Sequence, residues 1–284
     1  MNVPLTEPVA RRIRIDRVVA YLAIFILSAI FLFPFLWLVS TSLKPLDQTM
    51  KIPVVWIPNP VQLRNFPDAI HAMPFFAYAL NTLLLCVACV SGAVFSSSAV
   101  AYAFARLRWP GRDTLFWVTL ATMMIPFPVL MVPLFALFRH LDWIGTYRPL
   151  WVPVWFGNAF NIFLLRQFFK TIPFELTEAA TIDGASHWRI FWDVVMPLSK
   201  PALAIIALFT FMGTWNDFLG PLIYLVNQKT FTLSLGLQVY QSQHNGVLWN
   251  QLYAATTLMI LPVIVLFFFT QKLFIRGIAL TGIK

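Results

Sequence analysis

The sequence has 284 residues, of which 60% are hydrophobic and only 11% charged, and its mean hydropathy is +0.77. A soluble domain is close to half apolar and a quarter charged, so this composition excludes a water-soluble chain and indicates a protein that lies in lipid. The net charge of +9 would suit a nucleic-acid-binding protein, but basic residues collected on one side of a membrane give the same excess.

Six apolar runs are each long enough to cross a bilayer. A hydrocarbon core of about 30 Å requires roughly 20 residues of helix, because every backbone polar group must be paired internally. The runs predict an all-α integral membrane protein with one domain over residues 1–284 and both termini on the same side. The predicted spans are residues 18–40, 75–104, 114–138, 149–169, 202–226 and 252–274.

The first run follows a basic N-terminal segment, as a signal peptide would. It is free of charge from 18 to 43, which is longer than the apolar region of a signal peptide, and no Ala-x-Ala cleavage site follows it. We therefore expect the first run to remain as a membrane anchor.

The second and third runs carry packing and kinking signals. Gly92 and Ser96 are small residues four positions apart, which favours close helix packing. Cys86 and Cys89 have no Cys or His ligands near them in sequence, so they indicate small membrane-helix residues rather than a disulfide framework or a metal site. The third run contains three prolines, which predict a kink that suits either a translocation path or a structural bend: Pro126, Pro128 and Pro133.

The basic residues set the orientation. With the N-terminus in the cytoplasm, 14 Lys and Arg residues lie inside and 6 outside, as the positive-inside rule requires. The outside residues are Lys44, Lys51, Arg64, Arg139, Arg148 and Lys229. The basic excess therefore marks the cytoplasmic face and requires no nucleic acid. Two outside segments, about 43–74 and 227–250, are long enough to contact an external partner.

The segment 170–200 is the long polar connection on the predicted cytoplasmic side. Pro173 and Glu175 are helix-start signals, since proline suits the first helical position and an acid suits the first turn. Asp183 and Gly184 predict the end of that helix, with Gly184 in the left-handed conformation. The segment therefore predicts a first short helix that ends in a sharp turn.

A second short helix is predicted to begin after Ser186, whose side chain suits a cap, and to end before Pro197. In the first helix, Ala179 and Ala180 lie beside an acidic edge and would let a partner approach closely. A helix resting on lipid headgroups is the alternative, but such helices favour Lys and Arg on their polar face. The acids favour a protein partner.

The loop resembles the EAA loop of ABC-importer permeases. The matching string is Glu178-Ala179-Ala180, three residues, Gly184, nine residues, Val194, one residue and Met196-Pro197. Other strings resemble the second permease of binding-protein-dependent carbohydrate importers, the group that includes the maltose system. They are Ser42-Leu43-Lys44-Pro45, Ala105-Arg106-Leu107, Pro110-Gly111-Arg112, Trp215-Asn216-Asp217 and Pro221-Leu222. This resemblance covers nearly the whole chain.

The resemblance implies a six-transmembrane-helix type I ABC importer permease, with a cytoplasmic two-helix coupling loop, in a bacterial inner membrane. It implies a second homologous permease, an ATPase dimer that binds ATP and Mg, an extracytoplasmic solute-binding protein and a sugar substrate, with membrane lipid around the helices. The implied ATPase-coupling residues are Glu178, Ala179, Ala180, Asp183 and Gly184. The C-terminal string from Arg276 to Lys284 resembles a tail that reaches into the ATPase dimer.

The chain itself has no phosphate-binding loop, because its eleven glycines nowhere form Gly-x-x-x-x-Gly-Lys-Ser/Thr. We therefore expect a transport subunit rather than an enzyme, with no cofactor of its own. An ion-coupled secondary transporter or channel is the alternative, but such carriers place several ionisable residues inside their helices, whereas Asp217 is nearly alone here. An intramembrane enzyme would require a paired nucleophile and base, which the sequence does not offer.

Asp217 has two interpretations, because an ionisable side chain at membrane depth is costly and is by default a functional candidate. Together with Trp215 and Asn216 it would form a substrate path or gate, with Trp215 as a stacking face for sugar. Alternatively, the three residues form a buried polar cluster that locks the fifth helix to its neighbours. The sequence favours the second interpretation.

Overall fold

The computed structural model describes the backbone of residues 9–243 and 247–281, and the side chains of residues 17–239, 241 and 247–271. Within these residues the chain is helical and contains no β-strand. It divides into two compact units, Met1–Ala72 with His244–Leu258 and Met73–Gln243 with Met259–Lys284. A single permease domain over 1–284 stays a prediction.

The first unit begins with one long helix. Its described helices are α1 (Val9–Ser42), α2 (Leu46–Thr49) and α3 (Asn65–Ala72). No residue is buried in the most apolar stretch of Arg17–Ser42, although Thr41 and Ser42 at its end are, so lipid or another subunit must cover that stretch. The segment after α1 is held by Asn65, whose side-chain amide donates hydrogen bonds of 2.8 Å to the carbonyls of Ser42 and Lys44.

Lys44 is fully buried at the start of this segment. Its ammonium lies 4.1 Å from the centroid of the Trp37 ring and donates a hydrogen bond of 3.4 Å to Thr41 Oγ1. Burial lowers the pKa of Lys44. The aromatic face partly replaces the water that the ammonium loses on burial.

The second unit contains most of the helices. They are α4 (Phe75–Arg106), α5 (Arg112–Ala121), α6 (Phe127–His140), α7 (Arg148–Trp151), α8 (Ala159–Thr171), α9 (Phe174–Ile182), α10 (His187–Ile190), α11 (Met196–Leu198), α12 (Lys200–Trp215), α13 (Leu219–Tyr224) and α14 (Leu233–Gln243), and the final helix of the chain is α15 (Trp249–Thr281).

The core of the second unit lies where α4 packs against α8 and α12. Ala93, Ala101, Leu165, Phe169 and Ile206 are completely buried there. The small residues of α4 allow this close packing, as the sequence predicted. At Gly92 the neighbour is an aromatic ring, since an added Cβ atom would overlap the indole of Trp155.

Three described helices are long and apolar enough to cross a membrane alone: Arg17–Ser42, Phe75–Arg106 and Trp249–Gln271. Two bent pairs also qualify if each counts as one span, Arg112–Met124 with Phe127–His140 and His187–Leu198 with Lys200–Trp215. By length and composition the described chain therefore has up to five spans, and the predicted count of six is not confirmed.

The predicted span 149–169 is interrupted in the structure. A short 3-10 helix, Val152–Phe156, follows α7, and Gly157 then takes a positive φ of 93°. Helix α8 begins only at Ala159, where the side chain of Asn158 accepts hydrogen bonds from the amides of Phe160 and Asn161. A positive φ cannot continue an α-helix, so the glycine and the cap divide the apolar run.

Prolines explain the bend in the third run. The axes of Arg112–Met124 and Phe127–His140 meet at 98°, and Pro126 in extended conformation separates them. The predicted kink is thus confirmed. The fifth predicted span, 202–226, is also interrupted, because α12 ends at Trp215 and α13 begins at Leu219.

Candidate coupling loop and membrane polar cluster

Helix α9 presents most of its surface outward. Thr177 is its one buried residue, whereas Glu175, Glu178 and Ala179 are exposed and Ala180 is half-buried. Pro173 lies one position before the helix instead of at its first position. Because no residue that the structure describes covers the acidic edge, the surface is open to a partner protein.

The turn after α9 is a Schellman motif centred on Gly184. The amide of Gly184 donates to the carbonyl of Thr181 at 3.0 Å, and the amide of Ala185 donates to the carbonyl of Ala180 at 2.9 Å. Gly184 has a φ of 80°, so the predicted left-handed conformation is confirmed. Ala180 and Ala185 pack against the core of the second unit, which fixes the direction of the turn.

The second loop helix extends further than predicted. Ser186 caps it as expected, accepting a hydrogen bond of 3.3 Å from the amide of Arg189. The helix does not end before Pro197, because a π-helical turn, Phe191–Val195, joins α10 to α11 and Pro197 lies inside α11. A proline clashes with an α-helical carbonyl four residues earlier, and the wider π turn relieves that clash.

Arg106 connects the loop to the membrane helices. Its side chain is buried, and Nη2 donates hydrogen bonds of 2.7 Å and 2.6 Å to the carbonyls of Phe169 and Ile172. Nη1 donates to Thr177 Oγ1 at 3.5 Å, and the guanidinium lies 5.7 Å from the ring of Phe174. The last residue of α4 therefore holds the end of α8 and the start of α9 together.

The sequence did not reveal this anchor. Arg106 was one basic residue in the charge count and one member of a resembling string. The sequence evidence for a buried anchor at Arg106 was weak, because an arginine at the end of an apolar helix is usually exposed. The partners lie 63 to 71 residues away in the chain, so only the fold brings them together.

Trp215, Asn216 and Asp217 do not line one common cavity. Trp215 is buried, its ring stacks on Phe211 at 5.5 Å, and its Nε1 donates to the carbonyl of Met259 at 3.2 Å. The side chain of Asn216 is exposed and donates to the carbonyl of Met212 in its own helix. A stacking face for sugar would have to be accessible, so the geometry of Trp215 favours a structural role.

Asp217 holds the break between α12 and α13. Its Oδ1 accepts a hydrogen bond of 3.1 Å from the amide of Gly220, and its backbone carbonyl accepts one from the Ser234 hydroxyl. An added Cβ atom at Gly220 would lie 2.5 Å from Asp217 Oδ2. These contacts match the interpretation of a locking cluster. In the part of the chain that the structure describes, no group of three His, Cys, Asp or Glu residues could hold a metal ion.

Residues 93–280 match the family described as binding-protein-dependent transport system inner membrane component. This match contains α8 to α13 and the whole coupling loop. The C-terminal string that resembles an ATPase-contacting tail extends to residues 282–284, which lie outside the described residues.

Two relatives and one solved structure extend the match to nearly the full chain. The sn-glycerol-3-phosphate transport system permease protein UgpE of Yersinia pestis is 34% identical over 87% of this chain and 90% of its own. The arabinooligosaccharides transport system permease protein AraQ of Halalkalibacterium halodurans is 33% identical over 91% of this chain and 93% of its own. A chain of a bacterial ABC transporter that imports the acidic polysaccharide alginate superimposes with a TM-score of 0.79 at 25% identity, covering 95% of this chain and 99% of that one.

These similarities agree with the apolar helices and the two-helix loop. They also agree with the resemblance that the sequence carried in its EAA-like string. The chain belongs to the inner membrane components of binding-protein-dependent transport systems and is a permease subunit of an ABC importer.

Proposed function

We propose that this chain forms half of the translocation pathway of an ATP-driven sugar or oligosaccharide importer and is coupled to a separate ATPase through Glu178 to Gly184. The observation that carries the proposal is the exposed acidic edge of α9. That edge ends in a fixed turn and is tied by Arg106 to two membrane helices. Such a segment can transmit a displacement because both of its ends are fixed to the membrane domain.

The transmission follows from the contacts of the loop. A partner that moves α9 also moves Thr177 and the chain near Ile172, and Arg106 transfers that movement to α4. Ile190, Phe191 and Val195 of the second loop helix are buried in the core, so the movement reaches α12 through a second route. A rigid, packed connection transmits displacement because protein interiors resist compression.

The complete importer contains a second homologous permease, an ATPase dimer and an extracytoplasmic solute-binding protein. ATP and Mg bind to the ATPase, and this chain supplies no cofactor site. The external segments 43–74 and 227–250 are the surfaces offered to the binding protein. The names of the relatives support a carbohydrate or a related small polyol derivative as the substrate.

Purified alone in proteoliposomes, the chain is expected to give no sugar uptake, because it has a docking loop and no phosphate-binding loop. Uptake should appear when the second permease, the ATPase, the binding protein and ATP are supplied. The measurement is accumulation of labelled sugar inside the vesicles. Accumulation by the chain alone, driven by an ion gradient, would instead support a secondary transporter.

The same proposal places both termini and the coupling loop in the cytoplasm, as the basic residues predict. A cysteine introduced at the exposed Ser186 should not react with an impermeant thiol reagent in intact cells and should react in inverted vesicles. Cys86 and Cys89 are buried and give a low background. Labelling of Ser186→Cys in intact cells would show that the orientation is the reverse of the proposed one.

A further inference from the structure

A group of basic residues lies around the passage from α4 into α5 and the end of α8, and Arg108 of this group also borders a cavity with Phe174 and His187 of the loop. We call this group the junction cluster, and its members are Arg108, Arg112, Arg166 and Lys170. One carboxylate lies among them, Asp113, which pairs with Arg112 Nε at 3.1 Å and with Arg166 Nη2 at 3.6 Å. Four cations and one carboxylate leave three net positive charges.

Arg108 is, with Lys170, one of two cations in the junction cluster that have no hydrogen bond or ion pair to the described residues. Of the residues that the structure describes, none accepts a hydrogen bond from its exposed guanidinium, whereas Arg112 also donates to the carbonyl of Leu107 at 3.2 Å. Arg108 borders an open cavity of about 330 Å³. The other lining residues are Trp109, Gly111, Arg112, Asp113 and Thr114.

The backbone adds to the positive potential of this cavity. Helix α5 begins after Gly111, and no side chain caps its first turn, so its first amides point toward the cavity without helical partners. Nearby, desolvation together with the charges of Arg166 and Arg112 lowers the pKa of Lys170. An anion bound here would therefore reduce the electrostatic repulsion among the cations.

The position of the junction cluster indicates which anion is available. The bent pair of helices that contains α5 begins at Arg112 and is long and apolar enough to count as one membrane span, so the cavity lies beside the first residue of that apolar segment. Beyond it on α5, Leu115, Trp117 and Val118 are exposed, and Trp117 has 69% of its surface accessible. Apolar exposure next to cations and indole rings is typical of the interface between headgroups and acyl chains.

We propose that the junction cluster binds the phosphate of an anionic phospholipid, with Arg108 as the direct ligand and the acyl chains along the exposed face of α5. Arg112 and the amides at the start of α5 complete the phosphate site. Arg166 and Lys170 add to the attraction through their charge. The lipid would then support the α4–α5 junction, one residue beyond the Arg106 anchor.

Native mass spectrometry of the purified importer complex, titrated with phosphatidylglycerol, tests this proposal. Arg108→Gln is expected to weaken binding of the lipid about fivefold, the usual contribution of one basic residue near a membrane surface. Arg108→Lys should retain most of the binding, because it keeps the charge. The matched control is Arg139→Gln, which neutralises an exposed arginine at the far end of the bent span and should leave binding unchanged.

Two further probes identify the source of the phosphate. Phosphatidylcholine should bind more weakly than phosphatidylglycerol and should be insensitive to Arg108→Gln. Inorganic phosphate at millimolar concentration should not displace the lipid; if it does, the cavity is a site for free phosphate. Equal phosphatidylglycerol binding by Arg108→Gln and the unaltered complex would overturn the proposal, as would loss of the ATPase from Arg108→Gln, which would indicate an acidic protein surface as the occupant.

Discussion

Gly184→Val is expected to leave membrane insertion intact and to lower both ATPase association and sugar transport about tenfold. Gly184 has a φ of 80°, and a β-carbon in that region costs roughly 1–2 kcal/mol, with a further penalty for a branched side chain. An added Cβ atom would meet nothing within 4 Å, so the cost is conformational and not a steric clash. The backbone can relieve the strain only by opening the Schellman turn, which redirects the acidic edge of α9.

Gly145→Val is the matched control for this result. Gly145 has a φ of 82° and equally open space around its Cα atom, but it lies outside the coupling loop. It should therefore carry the same local backbone cost without loss of ATPase association. Gly184→Asn should also remain coupled, because asparagine tolerates the left-handed conformation better than other side chains.

The measurements are the amount of each variant in the membrane, ATPase co-purification and substrate-stimulated ATP hydrolysis. Glu178→Lys, which reverses the charge of the exposed edge, should reproduce the uncoupling of Gly184→Val without altering the turn. If Gly184→Val and Glu178→Lys both keep normal coupling, the loop is only a connector.

Arg106→Leu is expected to release the coupling loop from the membrane helices. The substitution leaves the carbonyls of Phe169 and Ile172 without their buried donor, and each orphaned acceptor costs about 1–3 kcal/mol. The loop should therefore open locally far more often. Trypsin cleavage at the exposed Arg189 should accelerate about tenfold or more, and ATPase co-purification should fall.

Arg139→Gln provides the control for Arg106→Leu, since it removes an exposed guanidinium at the other end of the bent span. Its cleavage rate at Arg189 and its ATPase association should equal those of the unaltered chain. An unchanged cleavage rate in Arg106→Leu would show that the anchor does not position the loop.

Local sequence determined the membrane class and the coupling turn. A long apolar run forms a helix in hydrocarbon, because each backbone polar group must be paired within its own segment. The turn after α9 was equally local, since Gly184 and Ser186 act on amides and carbonyls within a few residues of themselves. Both features could therefore be predicted without knowledge of the fold.

The boundaries of the membrane spans were less predictable, because hydropathy reports how apolar a segment is and does not report where its helix is interrupted. The run 149–169 was predicted as one span from its apolar content, but Gly157 and Asn158 divide it in the structure. The interpretation of Pro197 failed for a related reason. A proline ends a helix when its ring clashes with the carbonyl four residues earlier, and the wider π turn at Phe191–Val195 relieves that clash.

By itself, the sequence determined an all-helical membrane protein with a two-helix loop, because apolar run length, capping residues and a left-handed glycine act over short stretches of chain, and its EAA-like string indicated a permease. Only the tertiary structure decided that Arg106 anchors the loop, that the ring of Trp215 is covered and that Arg108 is left unpaired beside an open cavity. A buried arginine and an exposed one have the same sequence signal. Their difference arises from carbonyls and side chains that are distant in sequence, and folding alone brings those groups within hydrogen-bonding distance.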